Sequence, residues 1–189
     1  MKLKRLTALL LVSGSPCFAA TDVSGIINGL LHPVLGFDHL LAMIAVGLLS
    51  VQLGRKHVFK LPSAFVFFLM VGGILGLLNI ALPAVEGIIA ISVLVLGFAI
   101  ASQARIGALL AYPMVAIFAV FHGYAHGAEV PIMDNPTTDI LGLMLASAIL
   151  HLIGVGIGSV AKNTRLRGLL GAGCAGIGLH MVLLAYGLV

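Results

Sequence analysis

Two short motifs place histidine and carboxylate side chains at spacings that suit metal coordination. The first, residues 32–39, reads His-Pro-Val-Leu-Gly-Phe-Asp-His and contributes His32, Asp38 and His39. In an unbroken helix His32 and His39 would share a face but lie about 10 Å apart along the axis. They could therefore bind one ion only if the helix opened, and Gly36 is the residue where we expect such an opening.

The second motif, residues 122–129, reads His-Gly-Tyr-Ala-His-Gly-Ala-Glu. His122 and His126 are four residues apart, one helical turn along the same face, which is a spacing that can chelate a metal. Glu129 continues that face if the helix persists. A single histidine in an apolar helix is usually a hydrogen-bonded packing residue. Imidazoles grouped with carboxylates instead indicate a site for nickel, copper, iron or zinc.

Two further histidines, His151 and His180, lie near the middle of later apolar segments. Each is either a deeper ligand on a pathway below the two motifs or a hydrogen-bond donor between helices, and the sequence leaves both open. His57 follows Arg55 and Lys56 and is predicted to be solvated in a loop.

The composition indicates a membrane protein. Of 189 residues, 61% are hydrophobic and 8% are charged, and the mean hydropathy is +1.22. A soluble domain has about 25% charged residues. The net charge of +4 comes from few, dispersed basic residues, which argues against nucleic-acid binding. The phosphate-binding sequence Gly-x4-Gly-Lys-Ser/Thr does not occur in the chain, so nucleotide-driven transport is not expected.

The N-terminus resembles a secretory signal peptide. Lys2, Lys4 and Arg5 precede a short apolar stretch at 6–12, and a small residue before Ala20 suits cleavage. The stretch is too short to cross the roughly 30 Å of a bilayer core comfortably. We therefore predict a signal peptide over residues 1–19 and a transmembrane domain over residues 20–189.

Apolar segments of helical length recur along the rest of the chain and predict an all-α, polytopic transmembrane helix bundle with six spans. The predicted spans are 33–53, 61–81, 87–103, 107–126, 140–160 and 169–188. Short breaks between them imply that successive spans are antiparallel. The first span then begins, and the fourth ends, on the same side of the membrane, so the two motifs are expected to meet.

Charge placement predicts the orientation. The basic residues of the mature chain fall in alternate breaks: Arg55, Lys56, Lys60, Arg105, Lys162, Arg165 and Arg167. The acidic residues fall in the opposite set: Asp22, Asp38, Glu86, Glu129, Asp134 and Asp139. The positive-inside rule makes the basic breaks cytoplasmic and places both mature termini in the periplasm.

The two motifs and their flanks resemble the HupE/UreJ family of nickel permeases over essentially the whole mature chain. The matching stretches are 32–48 and 121–129. The resemblance implies secondary nickel uptake across the bacterial inner membrane, in support of hydrogenase or urease, and it implies that some relatives carry cobalt. It implies functional roles for His32, Asp38, His39, His122, His126 and Glu129. The predicted mature chain begins at Ala20 without the nearby histidine that the family often has, which argues against an N-terminal metal clamp.

These observations predict a secondary transporter rather than an enzyme, with the lipid bilayer as its surroundings, no catalytic cofactor, and Ni²⁺ as substrate. A cobalt permease of the same fold is the nearest alternative. An intramembrane zinc metallohydrolase is the alternative from another class, because His-x-x-x-His with nearby acids can hold zinc and a water. The third alternative is a metal-sensing or structural membrane subunit that transports nothing. The sequence does not decide whether the protein forms a homo-oligomer.

Overall fold

The computed structural model describes the backbone of residues 17–103, 106–129, 136–161 and 164–189, and the side chains from residue 23 onward within those ranges, except residue 164. The described residues form seven α-helices and a short 3₁₀ helix. Their bounds are α1 (Cys17–Leu35), α2 (Phe37–Leu53), η1 (Arg55–His57), α3 (Lys60–Leu77), α4 (Val85–Ala101), α5 (Ala108–Glu129), α6 (Pro136–Val160) and α7 (Thr164–Ala185). The all-helical prediction is confirmed for this part of the chain.

The first predicted span, 33–53, is wrong as a single helix. The chain leaves the helical conformation at Gly36, where φ is −84° and ψ is 103°, and the two helices on either side meet at an angle of 81°. Asp38 helps to start α2, because its Oδ1 accepts a hydrogen bond from the backbone N–H of His39 at 2.8 Å. The backbone therefore opens at the glycine where the spacing of the histidines required it.

Helix α1 begins before the predicted mature N-terminus. It starts at Cys17 and continues through the predicted cleavage position between Ala19 and Ala20. Most of the predicted signal peptide, residues 1–16, lies outside the described residues.

The helix lengths show a multi-pass membrane protein. Within the described residues, four helices are long and apolar enough to cross a bilayer, and the bent pair α1 and α2 would make a fifth. Helix α4 is equally apolar but has 17 residues, about 25 Å of helix. Large apolar side chains are exposed around the bundle, among them Phe67, Leu152, Ile153 and Leu169, as expected for surfaces that face lipid.

Helix α2 is the centre of the bundle. It packs against α6 and α4 and touches α3, α5 and α7, while α3 pairs with α5 and α4 pairs with α7 along their lengths. The largest fully buried apolar side chains around it are Phe65, Met43, Leu49, Leu61, Ile89 and Leu96. The helix that carries Asp38 and His39 is thus held on several sides by its neighbours.

Glycine permits the close contact between α3 and α5. A Cβ on Gly72 would overlap the backbone carbonyl of Val120, and one on Gly123 would overlap that of Leu69. Such close backbone approach is how helices associate in a bilayer, where burying apolar surface gives little drive. Gly123 lies inside the second histidine motif, so this packing also fixes the position of that motif.

We expect Gly72→Ala to destabilise the bundle by about 1–3 kcal/mol, because the added methyl group must push α3 away from α5. Gly156→Ala is the matched control, since a Cβ there meets no atom within 4 Å. Its expected effect is neutral or stabilising by up to about 1 kcal/mol. Thermal unfolding of both variants in detergent measures the difference, and equal midpoints would contradict the packing role of Gly72.

Candidate metal centre

Three helix ends supply the side chains of the candidate site. His32 lies in the last turn of α1, Asp38 and His39 lie in the first turn of α2, and the second histidine motif forms the last two turns of α5. The 81° bend at Gly36 turns α1 so that His32 reaches α5 instead of lying two turns along the axis from His39. The structure therefore brings the two motifs together.

Four imidazole rings form a continuous row. The ring centroid of His126 lies 4.9 Å from that of His32 and 4.4 Å from that of His39. His39 in turn lies 4.6 Å from His122. Helix α5 thus contributes two rings, and His39 of α2 lies between them. Successive rings are in contact along the row. Each pair of neighbouring rings offers nitrogen donors, so the row provides several possible positions for an ion rather than one isolated site.

The row has an open end at His32 and Glu129. Their side chains are 46% and 45% exposed, and His32 Nε2 lies 3.3 Å from Glu129 Oε2. Donor atoms of His32, His126 and Glu129 all lie within 4.8 Å of one another, close enough for one ion to contact all three. His126 is 4% exposed and His122 is fully buried, so the row leads from the surface into the protein.

A carboxylate orients the imidazole of His39. Asp38 Oδ1 lies 2.9 Å from His39 Nδ1, and because a carboxylate oxygen accepts, Nδ1 carries a proton, which in the neutral ring leaves the lone pair on Nε2. That Nε2 is buried and has no hydrogen-bond partner among the described residues. Histidines that bind metals are typically held in this way by an oxygen acceptor on the opposite nitrogen. The arrangement leaves His39 prepared to donate to a cation.

Two more buried ring nitrogens of the row, His122 Nδ1 and His126 Nε2, have no hydrogen-bond partner within the described chain. Leaving a buried polar atom unpaired costs free energy, and such atoms are uncommon unless something else satisfies them. Unpaired nitrogens on three adjacent rings are expected where the rings serve as ligands for a cation. The chemistry of the donors, imidazole nitrogen with carboxylate oxygen, suits a divalent transition metal.

His151 shares an aromatic neighbour with the innermost ring of the row. The ring centroid of Phe65 lies 5.9 Å from that of His122 and 4.9 Å from that of His151. His151 Nδ1 donates to the carbonyl of Ser147 at 2.6 Å, and its buried Nε2 has no partner in the part of the chain described. His151 therefore has a bare donor nitrogen, and Phe65 contacts both His151 and His122.

The structure does not bring His180 to this pathway. Its side chain is exposed on α7. The prediction that His57 is solvated is wrong, because its Nδ1 lies 3.1 Å from the hydroxyl of Tyr112 and the residue is only 9% exposed. His57 and His180 therefore lie apart from the histidine row.

Sequence reasoning missed two contact residues, Phe65 and Ser92. Phe65 lies in a run of apolar residues and offers no local signal. Ser92 is fully buried, and its Oγ lies 2.9 Å from His122 Nε2. Placing a polar serine within an apolar membrane span costs free energy, so Ser92 in α4 could have been recognised from the sequence as a candidate functional residue.

An open cavity of about 580 Å³ adjoins Asp38 from the other side. It lies between α2, α4 and α7 and is lined by Phe37, Asp38, Glu86, Ala90, Met181, Leu184 and Ala185. Two acidic residues from different helices therefore line the same space, and one of them, Asp38, contacts His39 of the row.

Comparison with known proteins gives one family and one close relative. Residues 7–181 match the family described as HupE / UreJ protein. The chain is 42% identical over 164 residues to Protein HupE of Rhizobium leguminosarum bv. viciae, covering 85% of this chain and 86% of that protein. The chain has no match among solved structures.

Proposed function

Because this chain belongs to the HupE/UreJ family, we propose that it is a secondary transporter that imports a divalent transition metal, with Ni²⁺ as the preferred substrate. Co²⁺ is the alternative substrate, since it accepts the same ligands. The observation that carries the proposal is the row of imidazoles in contact, three of which have a buried nitrogen without a hydrogen-bond partner among the described residues. The metal is cargo here and not a catalytic cofactor.

The proposed path follows the exposure of the donors. His32 and Glu129 capture the cation at the open end, where both side chains are half exposed. The cation then passes to His126 and His39, with the charge of Asp38 close by, and on to His122. Carboxylates at the entry lower the electrostatic cost of bringing a dication into a medium of low dielectric.

In the proposed path, Phe65 controls the inward step from His122. Its ring contacts both His122 and His151, and the residue has no exposed surface. In the proposed cycle the ring closes the path while the outer donors are being loaded. Rotation of the ring, with movement of the glycine-packed helices α3 and α5, then lets the cation reach Nε2 of His151.

The energy for inward movement is proposed to come from the membrane potential or from trapping of the metal inside the cell. A negative interior favours entry by about 2.3 kcal/mol per charge for each 100 mV. The row also favours transport over the zinc hydrolase alternative. A hydrolase needs a single site with three protein ligands and a water, which His32, His126 and Glu129 alone could supply, and the rings that continue into the interior would then have no role.

In the membrane, we place the histidine row at the periplasmic side of the bacterial inner membrane, with both mature termini outside. The charges support this orientation. Asp38 and Glu86 share one cavity at that end of the bundle, whereas the basic residues of η1 follow the opposite end of α2. The six spans are then the bent pair α1 and α2 counted once, α3, α4, α5, α6 and α7, and cleavage of a signal peptide over residues 1–19 would remove the first three residues of α1. Arg105, Lys162 and Asp134 lie outside the described residues.

Uptake of radiolabelled Ni²⁺ tests the function. Cells that lack their own nickel importer and express this chain should accumulate Ni²⁺ above cells with an empty vector. Competition by Co²⁺, Zn²⁺ and Mn²⁺ in the same assay ranks the substrates, and we expect Co²⁺ to compete best because its ligand preferences are closest. Absence of uptake by a chain that reaches the membrane and binds Ni²⁺ when purified would exclude a permease and favour a sensing or structural subunit.

A further inference from the structure

Ser92 is a buried hydroxyl that touches the innermost ring of the row. It lies in α4, while His122 lies in α5, and neither residue has any exposed surface. Ser92 Oγ is 2.6 Å from the backbone carbonyl of Ile89 and 2.9 Å from His122 Nε2. Both distances are those of hydrogen bonds.

The single proton of the hydroxyl decides the protonation of the ring. Two oxygens 2.6 Å apart repel unless a hydrogen lies between them, and the carbonyl of Ile89 has none to give. The Ser92 O–H therefore donates to Ile89. The oxygen of Ser92 can then only accept from His122, so Nε2 carries the proton of the neutral imidazole.

The opposite nitrogen of the same ring, His122 Nδ1, consequently keeps its lone pair. It is buried and lacks a hydrogen-bond partner among residues whose side chains are described. The ring of His39 contacts that of His122 at a centroid distance of 4.6 Å. Hence a hydroxyl outside the row leaves a bare nitrogen within it.

We propose that Ser92 is a positioning residue that holds His122 with Nε2 protonated and so makes Nδ1 the atom that donates to the transported cation. The inference deepens the proposed function and rests on it, since Nδ1 is a ligand only if a cation enters the row. Oxygen acceptors on the far nitrogen are a general feature of histidines that bind metals. His39 has such an acceptor in Asp38, and His151 has one in the carbonyl of Ser147.

Ser92 differs from those two acceptors because it can be removed without changing charge or backbone. In Ser92→Ala the Nε2–H loses its acceptor, so the ring can rotate or move its proton to Nδ1. Removing an outer hydrogen-bond partner of a metal ligand typically lowers metal affinity by about 10- to 100-fold. We expect a loss of that size in Ni²⁺ binding to the purified protein, and a matching fall in uptake.

Two variants separate this role from a packing effect. Ser92→Thr should restore most of the affinity, because a threonine Oγ1 in a helix can make the same bond to a carbonyl of the preceding turn. Ser50→Ala is the matched control: Ser50 is also fully buried, and its Oγ donates to the carbonyl of Gly47 at 2.6 Å. Ser50 lies in α2, its hydroxyl bonds to the backbone carbonyls of Gly47 and Val58, and its loss should leave Ni²⁺ affinity unchanged.

Nitrogen NMR of histidine-labelled, metal-free protein in detergent reads the protonation directly, with His122→Asn identifying the signal. In the wild type we expect His122 with Nε2 protonated and Nδ1 bare, and in Ser92→Ala a mixture of the two forms. Protonated Nδ1 in the wild type would overturn the assignment. Wild-type Ni²⁺ affinity in Ser92→Ala, or an equal loss in Ser50→Ala, would also overturn it. If the wild type does not bind Ni²⁺ at all, the proposed function fails, while the NMR signal still decides the protonation that Ser92 imposes.

Discussion

Replacing His126 with alanine is expected to reduce Ni²⁺ uptake to the level of cells with an empty vector. Among the described rings, only His126 connects the open end of the row with its buried part. Its ring centroid lies 4.9 Å from that of His32 and 4.4 Å from that of His39. Its removal leaves His32 and Glu129 without their third donor and leaves His39 without its outward neighbour. The interruption should therefore abolish transport rather than weaken it by degrees.

His180→Ala is the matched control for that experiment. It removes the same residue type from another helix, α7, where the side chain is exposed. Uptake by this variant should equal that of the wild type at equal amounts of protein in the membrane. Retained uptake in His126→Ala would exclude the proposed path through the row, and a loss in His180→Ala would return that residue to the deeper pathway.

Sequence periodicity was sufficient to predict that the two motifs meet. His122 and His126 were placed on one face by their spacing, and antiparallel topology placed them at the level of the first motif. The structure brings both into contact with His39. The break at Gly36 followed from geometry as well, because an unbroken helix could not bring His32 to the same place. That these residues bind a metal stays a prediction.

The contacts that depend on side-chain packing between distant helices could not be predicted. Phe65 and Ser92 lie in helices that carry none of the motif residues, and their contacts with His122 span 57 and 30 residues of sequence. Nothing local to Phe65 distinguishes it from the other phenylalanines of α3. His57 shows the same difficulty, because its neighbours Arg55 and Lys56 indicated a solvated loop while its partner, Tyr112, comes from α5.

The bend angle between α1 and α2 was also beyond the sequence, since a glycine allows many conformations and tertiary packing selects one. At Gly36 the selected conformation puts a Cβ position 3.0 Å from Asp38 Oδ1 and 3.4 Å from His39 Nδ1. A larger residue would crowd the acceptor and donor of that hydrogen bond. The glycine thus has two roles, opening the helix and leaving space for the pair that follows it.

Replacing Asp38 with asparagine should lower Ni²⁺ affinity by at least about 100-fold and reduce uptake correspondingly, a change of about 2.7 kcal/mol. The amide oxygen of asparagine can still accept the two bonds that Asp38 Oδ1 receives from His39, at 2.8 Å from the backbone N and 2.9 Å from Nδ1. What the variant loses is one negative charge beside the cation path. Two unit charges 4 Å apart attract by about 4 kcal/mol at an effective dielectric of about 20, so this charge is expected to dominate.

Asp38→Ala shows whether charge or orientation matters more. Alanine removes the charge together with the acceptor that holds the ring of His39, so an affinity close to that of Asp38→Asn means that the charge carries most of the effect. Wild-type affinity in Asp38→Asn with a large loss in Asp38→Ala would mean that Asp38 acts by orienting His39. Calorimetric titration of the purified variants with Ni²⁺ measures both losses, and thermal unfolding checks that α2 still forms. Asp38 also lines the cavity shared with Glu86, so the carboxylate that holds the ring of His39 borders an open space as well as the row.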